Sequence, residues 1–228
     1  MRSIAFFPLL LFILVGCKEI TKETTEKPSQ EVAEKTRTTP EAIAHHYGLE
    51  YWDQVNSIAF TFNVDRGENH YERSYTWEPK TGKVTYKTAT DTLTYNHKNP
   101  KDSLEIKADQ AFINDKYWLL APFQLVWDEG ISYTEEDKAT APISKELLHK
   151  LTIRYGDEGG YTPGDAYDFY YNDDFLIKEW TFRKGNQEDP SLATTWMENK
   201  DFNDIKLATK HQDSTGNFQL YFTNLHIE

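Results

Sequence analysis

"SIAFTFNV", residues 57–64, decides the fold. Ile58, Phe60, Phe62 and Val64 alternate with Ser57, Ala59, Thr61 and Asn63. A period of two sends the large apolar side chains to one face and the small or polar ones to the other, the mark of a half-buried strand. "YERSYTWE", residues 71–78, repeats the pattern: Tyr71, Arg73, Tyr75 and Trp77 alternate with Glu72, Ser74, Thr76 and Glu78. "PKTG" makes a turn, and Val84 and Tyr86 continue the meander. "DTLTYNH" (91–97) and "SLEIK" (103–107) read as two further strands, divided by the turn signal "KNPK".

Upstream the period changes. Thr39 as N-cap, Pro40 at the first helical position and Glu41 in the first turn signal a helix start. Ile43 and Tyr47 lie four apart, Trp52 and Val55 three apart, and Gly48 interrupts between them. This predicts one bent helix or two short ones. Downstream, "ADQAFINDKYWLLAPFQLVWDEG" (108–130) is apolar with no period of two. It predicts a helical segment from Asp109 to Leu120, ended by Pro122. Strands return at 148–155, 166–171, 176–183, 192–197, 205–210 and 218–226, with the turns "NDD", "RKGNQ" and "DSTGN" among them.

The expected fold is therefore mainly β: an antiparallel meander of ten or eleven strands with one helix in front and one in the middle. A single sheet so wide must curl. The prediction is a curved, incomplete β-barrel whose helices cover the concave side. The chain has 228 residues, enough for one globular domain at 40–228. It carries 6 Trp, 14 Tyr and 13 Phe, a composition that favours strands. The formal charge of −12 argues against nucleic acid or anionic lipid headgroups as partners of the folded surface.

The amino terminus reads as an address. Arg2 precedes an apolar run from Ile4 to Val15, too short to span a bilayer, which takes about 20 residues. Leu14-Val15-Gly16-Cys17 resembles the lipobox of bacterial lipoproteins, and Cys17 is the one cysteine in the chain. The resemblance implies a signal peptide at 1–16, lipidation of Cys17, and a membrane partner reached through that anchor, since two or more acyl chains hold a protein firmly. Lys18, not aspartate, follows the cysteine, which points to the outer membrane of a Gram-negative-type bacterium. Residues 18–39, "KEITKETTEKPSQEVAEKTRTT", are too polar to offset their ordering entropy, so 17–39 reads as a flexible tether. Nothing in the sequence specifies an oligomeric state.

The element order, together with "KYWLLAPFQL" (116–125), resembles the lipoprotein-localisation superfamily, the LolA/LolB-like fold. The resemblance covers Pro40 to Glu228. It implies a half-barrel closed by helices over an apolar cavity, and it transfers no catalytic residue. The exposed apolar insertion loop of the receptor type has no identifiable counterpart in this chain.

The sequence offers three candidate sites. Phe60, Phe62, Tyr75, Trp77, Trp118, Trp180, Phe182 and Trp196 could pack the core or line a cavity large enough for a lipid or acyl ligand. "GDEGGYTPGDAYDFYYNDD" (156–174) holds Asp165 and Asp168, weak candidates for a hard cation, but not at EF-hand spacing. His46 and Glu50, four apart, could share a helix face without a third ligand. No phosphate loop, nucleophile elbow, zinc-helix or dinucleotide motif is present, so no cofactor is expected. The functional expectation is a membrane-anchored, non-catalytic binder of a hydrophobic ligand. The alternatives are an envelope hydrolase using carboxylates near 156–174, or an interaction lipoprotein.

Overall fold

A computed structural model describes residues 37–158 and 162–228. The signal segment 1–16, Cys17 and nearly all of the expected tether lie outside the described residues. The first helix, α1, runs Thr39–His46. Its N-cap is Thr38, one residue before the expected Thr39: the Glu41 amide donates to Thr38 Oγ1 and the Thr38 amide to the Glu41 carboxylate, a closed capping box. Gly48 then adopts φ 95°, and a Cβ there would meet the Asp204 carbonyl oxygen at 2.1 Å. The break expected at this glycine is thus enforced by sterics, and a 3₁₀ helix, Leu49–Gln54, comes after it.

Twelve strands make up the β structure of the described residues, where the sequence leads to an expectation of ten or eleven. They are β1 (Ile58–Arg66), β2 (Asn69–Glu78), β3 (Lys83–Lys87), β4 (Thr92–Asn96), β5 (Ile131–Thr140), β6 (Leu147–Tyr155), β7 (Ala166–Tyr171), β8 (Ile177–Arg183), β9 (Leu192–Thr195), β10 (Met197–Phe202), β11 (Ile205–Gln212) and β12 (Phe218–Ile227). The long helix α2, Ser103–Trp127, stands between β4 and β5. No described helix is long and apolar enough to cross a membrane.

The strands form a seven-stranded sheet, β10-β11-β12-β1-β2-β3-β4, and a five-stranded sheet, β5-β6-β7-β8-β9. All pairings are antiparallel. The sheets meet at a corner where Trp196 alone separates β9 from β10. The first part of this segment pairs with β8 and the second with β11. Across the corner the Trp196 amide donates to the Lys178 carbonyl at 2.8 Å, and the Gln212 amide to Thr195 Oγ1 at 3.1 Å. The strand series is thus continuous from β5 to β4, open at those two edges, and never closes into a barrel. This is the open, curved, mainly β architecture that the alternation predicts.

Two local readings are corrected, and two strands are added. "SLEIK" is the first turn of α2 and not a strand: Asp102 Oδ1 accepts from the amides of Leu104 and Glu105, each at 2.9 Å, and so caps the helix. Its period of two is fortuitous, because Leu104 is 62% exposed and Ile106 42%. The helix also passes through Pro122 to Trp127. Proline cannot donate to the carbonyl four residues back, that of Trp118, but this carbonyl faces the imidazole of His211 instead. Finally, β5 and β10 carry no strand signal in the sequence. Of β5 only Ala139 is buried, and Glu135, Glu136, Asp137 and Lys138 give it the charged character of an edge strand rather than an alternating one.

One buried ion pair fixes α2 on the larger sheet. Asp115 is fully buried, and it accepts from Arg73 Nε and, at 2.6 Å, from the second guanidinium nitrogen. Tyr75 Oη and Asn114 Nδ2 donate to the same carboxylate at 2.9 and 3.0 Å. The surrounding core is aromatic, with Phe60, Tyr75, Trp77 and Phe112 in ring contact at 5.1–5.6 Å. Removing one partner strands the other charge in a low-dielectric site. Asp115→Ala is therefore expected to lower unfolding free energy by about 3–5 kcal/mol in urea titrations; a loss within the range of an exposed ion pair would contradict this role.

His211 is buried among Trp118, Trp196 and Phe222. Burial pushes its pKa down from 6.5 to about 3, although the carbonyls of Thr195 and Trp118 pull the other way. Between those values the unfolded chain binds more protons than the native one, so stability falls as pH falls through this window. His97, held against Trp77 and Phe112 and pushed down to about 4, acts with the same sign. His211→Gln should give a shallower drop in Tm between about pH 7 and about pH 5 than the parent chain. Parallel curves would show that His211 does not carry the linkage.

Candidate functional site

The Arg73–Asp115 contact commits one face of α2 to the larger sheet. The opposite stripe is then fixed by helical spacing: Gln110, Ile113, Tyr117, Gln124 and Trp127 recur at three-, four- and seven-residue steps along the turns, with Asn114 at its border. This stripe looks across a gap to the smaller sheet. The gap is a cavity of about 650 Å³, walled on the far side by Tyr155, Tyr167, Trp180 and Phe182. Its rim is formed by the exposed residues Glu129, Gly130 and Glu158.

A second cavity of about 480 Å³ lies over the end of the larger sheet, on Phe62, Val64, Phe218 and Leu220. Asn114, Trp118 and Phe182 line both spaces and form the partition between them. The described lining of the second cavity includes Arg66, His70 and Arg73 and no carboxylate. Arg73 is committed to Asp115, and His70 to Asp65 and Glu72. Arg66 lies over the Phe218 ring at 5.2 Å.

Among the described residues, Lys116 is the cation inside the first cavity. Lys116, 8% exposed, sits with its ammonium 5.2 Å from the centre of the Trp77 ring and 5.8 Å from that of Phe112. Burial pushes its pKa down; Asp128 and Asp109 act against this through space. Asp128 itself accepts a hydrogen bond from Tyr155 Oη, and burial pushes its pKa up. Tyr117, Tyr155 and Tyr167 form a ring cluster beside it, at 5.0 and 5.8 Å. The chemistry on offer is an aromatic and aliphatic wall with a lysine and a carboxylate at one end.

The aromatic candidates divide. Trp118 and Phe182 line both cavities, Trp180 the first and Phe62 the second. Phe60, Tyr75, Trp77 and Trp196 pack in the core and line neither. Asp168, on β7, accepts from Thr152 and Thr181 Oγ1 at 2.6 Å and from Arg183 Nε at 3.0 Å, so both its oxygens are occupied. Asp165 accepts from the Gly185 amide at 2.7 Å. Among the described residues no three His, Cys, Asp or Glu are grouped to hold a metal ion. His46 does not meet Glu50: the helix breaks at Gly48, and His45 Nδ1 lies 2.9 Å from that carboxylate instead. Lys116, Asp128 and Tyr155 are not among the residues that the sequence marks as candidates. The one signal it holds for them is Lys116, a charge set inside the apolar run "FINDKYWLL".

No protein-family model matches this chain, and no curated protein does. Among solved structures, a DUF1329 family protein from Desulfovibrio piger superposes with a TM-score of 0.47 at 8% identity, covering 83% of this chain and 92% of that one. A LolA superfamily protein from Nitrosomonas europaea superposes with a TM-score of 0.43 at 8% identity, covering 84% and 94%. Both likenesses are coarse, and neither assigns a ligand to the cavity.

Proposed function

We propose that residues 40–228 form a single binding domain for a hydrophobic or amphiphilic ligand, which lies between α2 and the smaller sheet. One observation carries the reading: the helix does not fill the space enclosed by the curved strands, and about 650 Å³ remains behind Trp118, Trp180 and Phe182. Small-ligand pockets fall in the range of about 300–1,000 Å³ and are mostly apolar with a few placed polar groups. The adjoining space over Phe62 extends the apolar path past Trp118. Asp168, one of the carboxylates on which a hydrolase reading would draw, is bound by Thr152, Thr181 and Arg183, which favours the binding reading over it. The reading assigns no catalytic residue.

The amino-terminal residues complete the proposal. Cleavage before Cys17 and its acylation tether the domain to the outer membrane through residues 17–39, close to a source of such ligands. Cys17→Ser should abolish incorporation of labelled palmitate and move the protein from the membrane to the soluble fraction. Continued labelling of that variant would refute the anchor.

The cavity is tested on the mature Cys17→Ser chain purified without detergent. Native mass spectrometry should show a co-purified amphiphile, and a bromine-tagged fatty acid should quench tryptophan fluorescence, since Trp118 and Trp180 line the space. Ile113→Trp, which fills the cavity from α2, is expected to weaken that binding at least about tenfold, near 1.4 kcal/mol. Unaltered binding in a folded Ile113→Trp protein would place the ligand elsewhere.

A further inference from the structure

We propose that the ammonium of Lys116 is the anchor for an anionic headgroup, so that the ligand of the first cavity is an amphiphile with a carboxylate end. This rests on the cavity-binding reading above and adds the charge and orientation of the ligand. Lys116 lines the cavity and is more than nine-tenths buried. No hydrogen bond or ion pair with another described residue reaches its ammonium; its near neighbours are the faces of Trp77 and Phe112. Aromatic faces attract a cation but accept no N–H hydrogen bond of normal strength, so the ammonium's donors are left to whatever occupies the cavity. A buried charge without a paired and hydrogen-bonded partner is costly.

The obvious internal partners are elsewhere. Asp128 is bound to the Tyr155 hydroxyl, and like Asp109 it acts on Lys116 only through space. These carboxylates offset part of the charge without satisfying its donors. A ligand carboxylate at the ammonium would supply both acceptors and charge, and its hydrocarbon would run along Tyr117 and Trp118 toward the partition at Phe182. The rim carboxylates Glu129 and Glu158 are solvent-exposed, where their repulsion is weakened by water and salt. A cationic amphiphile, by contrast, would set like charge against Lys116 inside a low-dielectric wall.

The test compares three probes of equal chain length on the mature Cys17→Ser chain: dodecanoate, dodecanol and dodecyltrimethylammonium, measured by calorimetry. Dodecanoate should bind at least tenfold more tightly than dodecanol, and the ammonium most weakly. Lys116→Met keeps the length and apolar stem of the side chain. It should erase the dodecanoate preference while dodecanol binding stays within about twofold. The same variant should melt at an equal or higher temperature than the parent without ligand, because an unpaired buried charge has been removed. Equal binding of dodecanoate and dodecanol by the parent chain would overturn the headgroup assignment and leave the cavity reading standing. Binding of none of the probes would overturn the cavity reading itself. A marked fall in melting temperature for Lys116→Met would show that the lysine is structurally paired, which also overturns the proposal.

Discussion

A carboxylate in the middle of a long helix, buried against a sheet, is the constraint on which this structure turns. Asp115 cannot leave Arg73 without stranding a charge, and the guanidinium fixes both its distance and its direction. Apolar packing alone would let α2 slide or roll over the aromatic face of the strands. The ion pair, with Tyr75 as a further donor, removes that freedom. Once residue 115 points at β2, helical geometry directs 110, 113 and 117 to the other side. The cavity is thus a consequence of where the helix is pinned. It is not a gap left by poor packing, because the pinned face is densely filled by Phe112, Leu119 and the rings around Tyr75.

Much of this architecture is legible as periodicity. Alternation of large apolar with small or polar side chains lets β1, β2, β7 and β8 be placed to within a residue or two, although β7 is buried on both faces. Where the environment is not two-sided the signal fails. The edge strand β5 is solvated on nearly all its side chains and has no apolar face to display. In "SLEIK" the alternation is real but meaningless, since Leu104 and Ile106 both face solvent, while the capping carboxylate of Asp102 carries the true information. Pro122 misleads for a related reason: the Trp118 carbonyl it deprives of a partner lies beside His211, some ninety residues later in the chain, where no local rule could place it.

The site is legible only in part. Aromatic residues on strand faces can be identified as core or cavity lining, but not divided between the two. Trp77 and Trp180 look alike in sequence; one is closed off by Phe112 and His97, the other opens onto the gap. Net charge misdirects as well. A balance of −12 describes the outer surface, where it opposes anionic partners at long range. It says nothing about a lysine shielded from that field by α2 and two aromatic rings.

The size of the cavity constrains its contents. A dry void costs about 24 cal/mol per Å³, so 650 Å³ left empty would cost on the order of 15 kcal/mol. A domain has about 5–15 kcal/mol of net stability, so the fold does not survive with that space as vacuum. Open to solvent at Glu129 and Glu158, it can be wetted, at the expense of water held against aromatic walls. Water is a poor occupant for Trp118 and Trp180 but a good one for Lys116. A neutral hydrocarbon reverses this, relieving the walls while stripping the ammonium of its acceptors. An occupant that relieves both at once has a long apolar body and an anionic end, which is why charge and greasiness point to the same ligand.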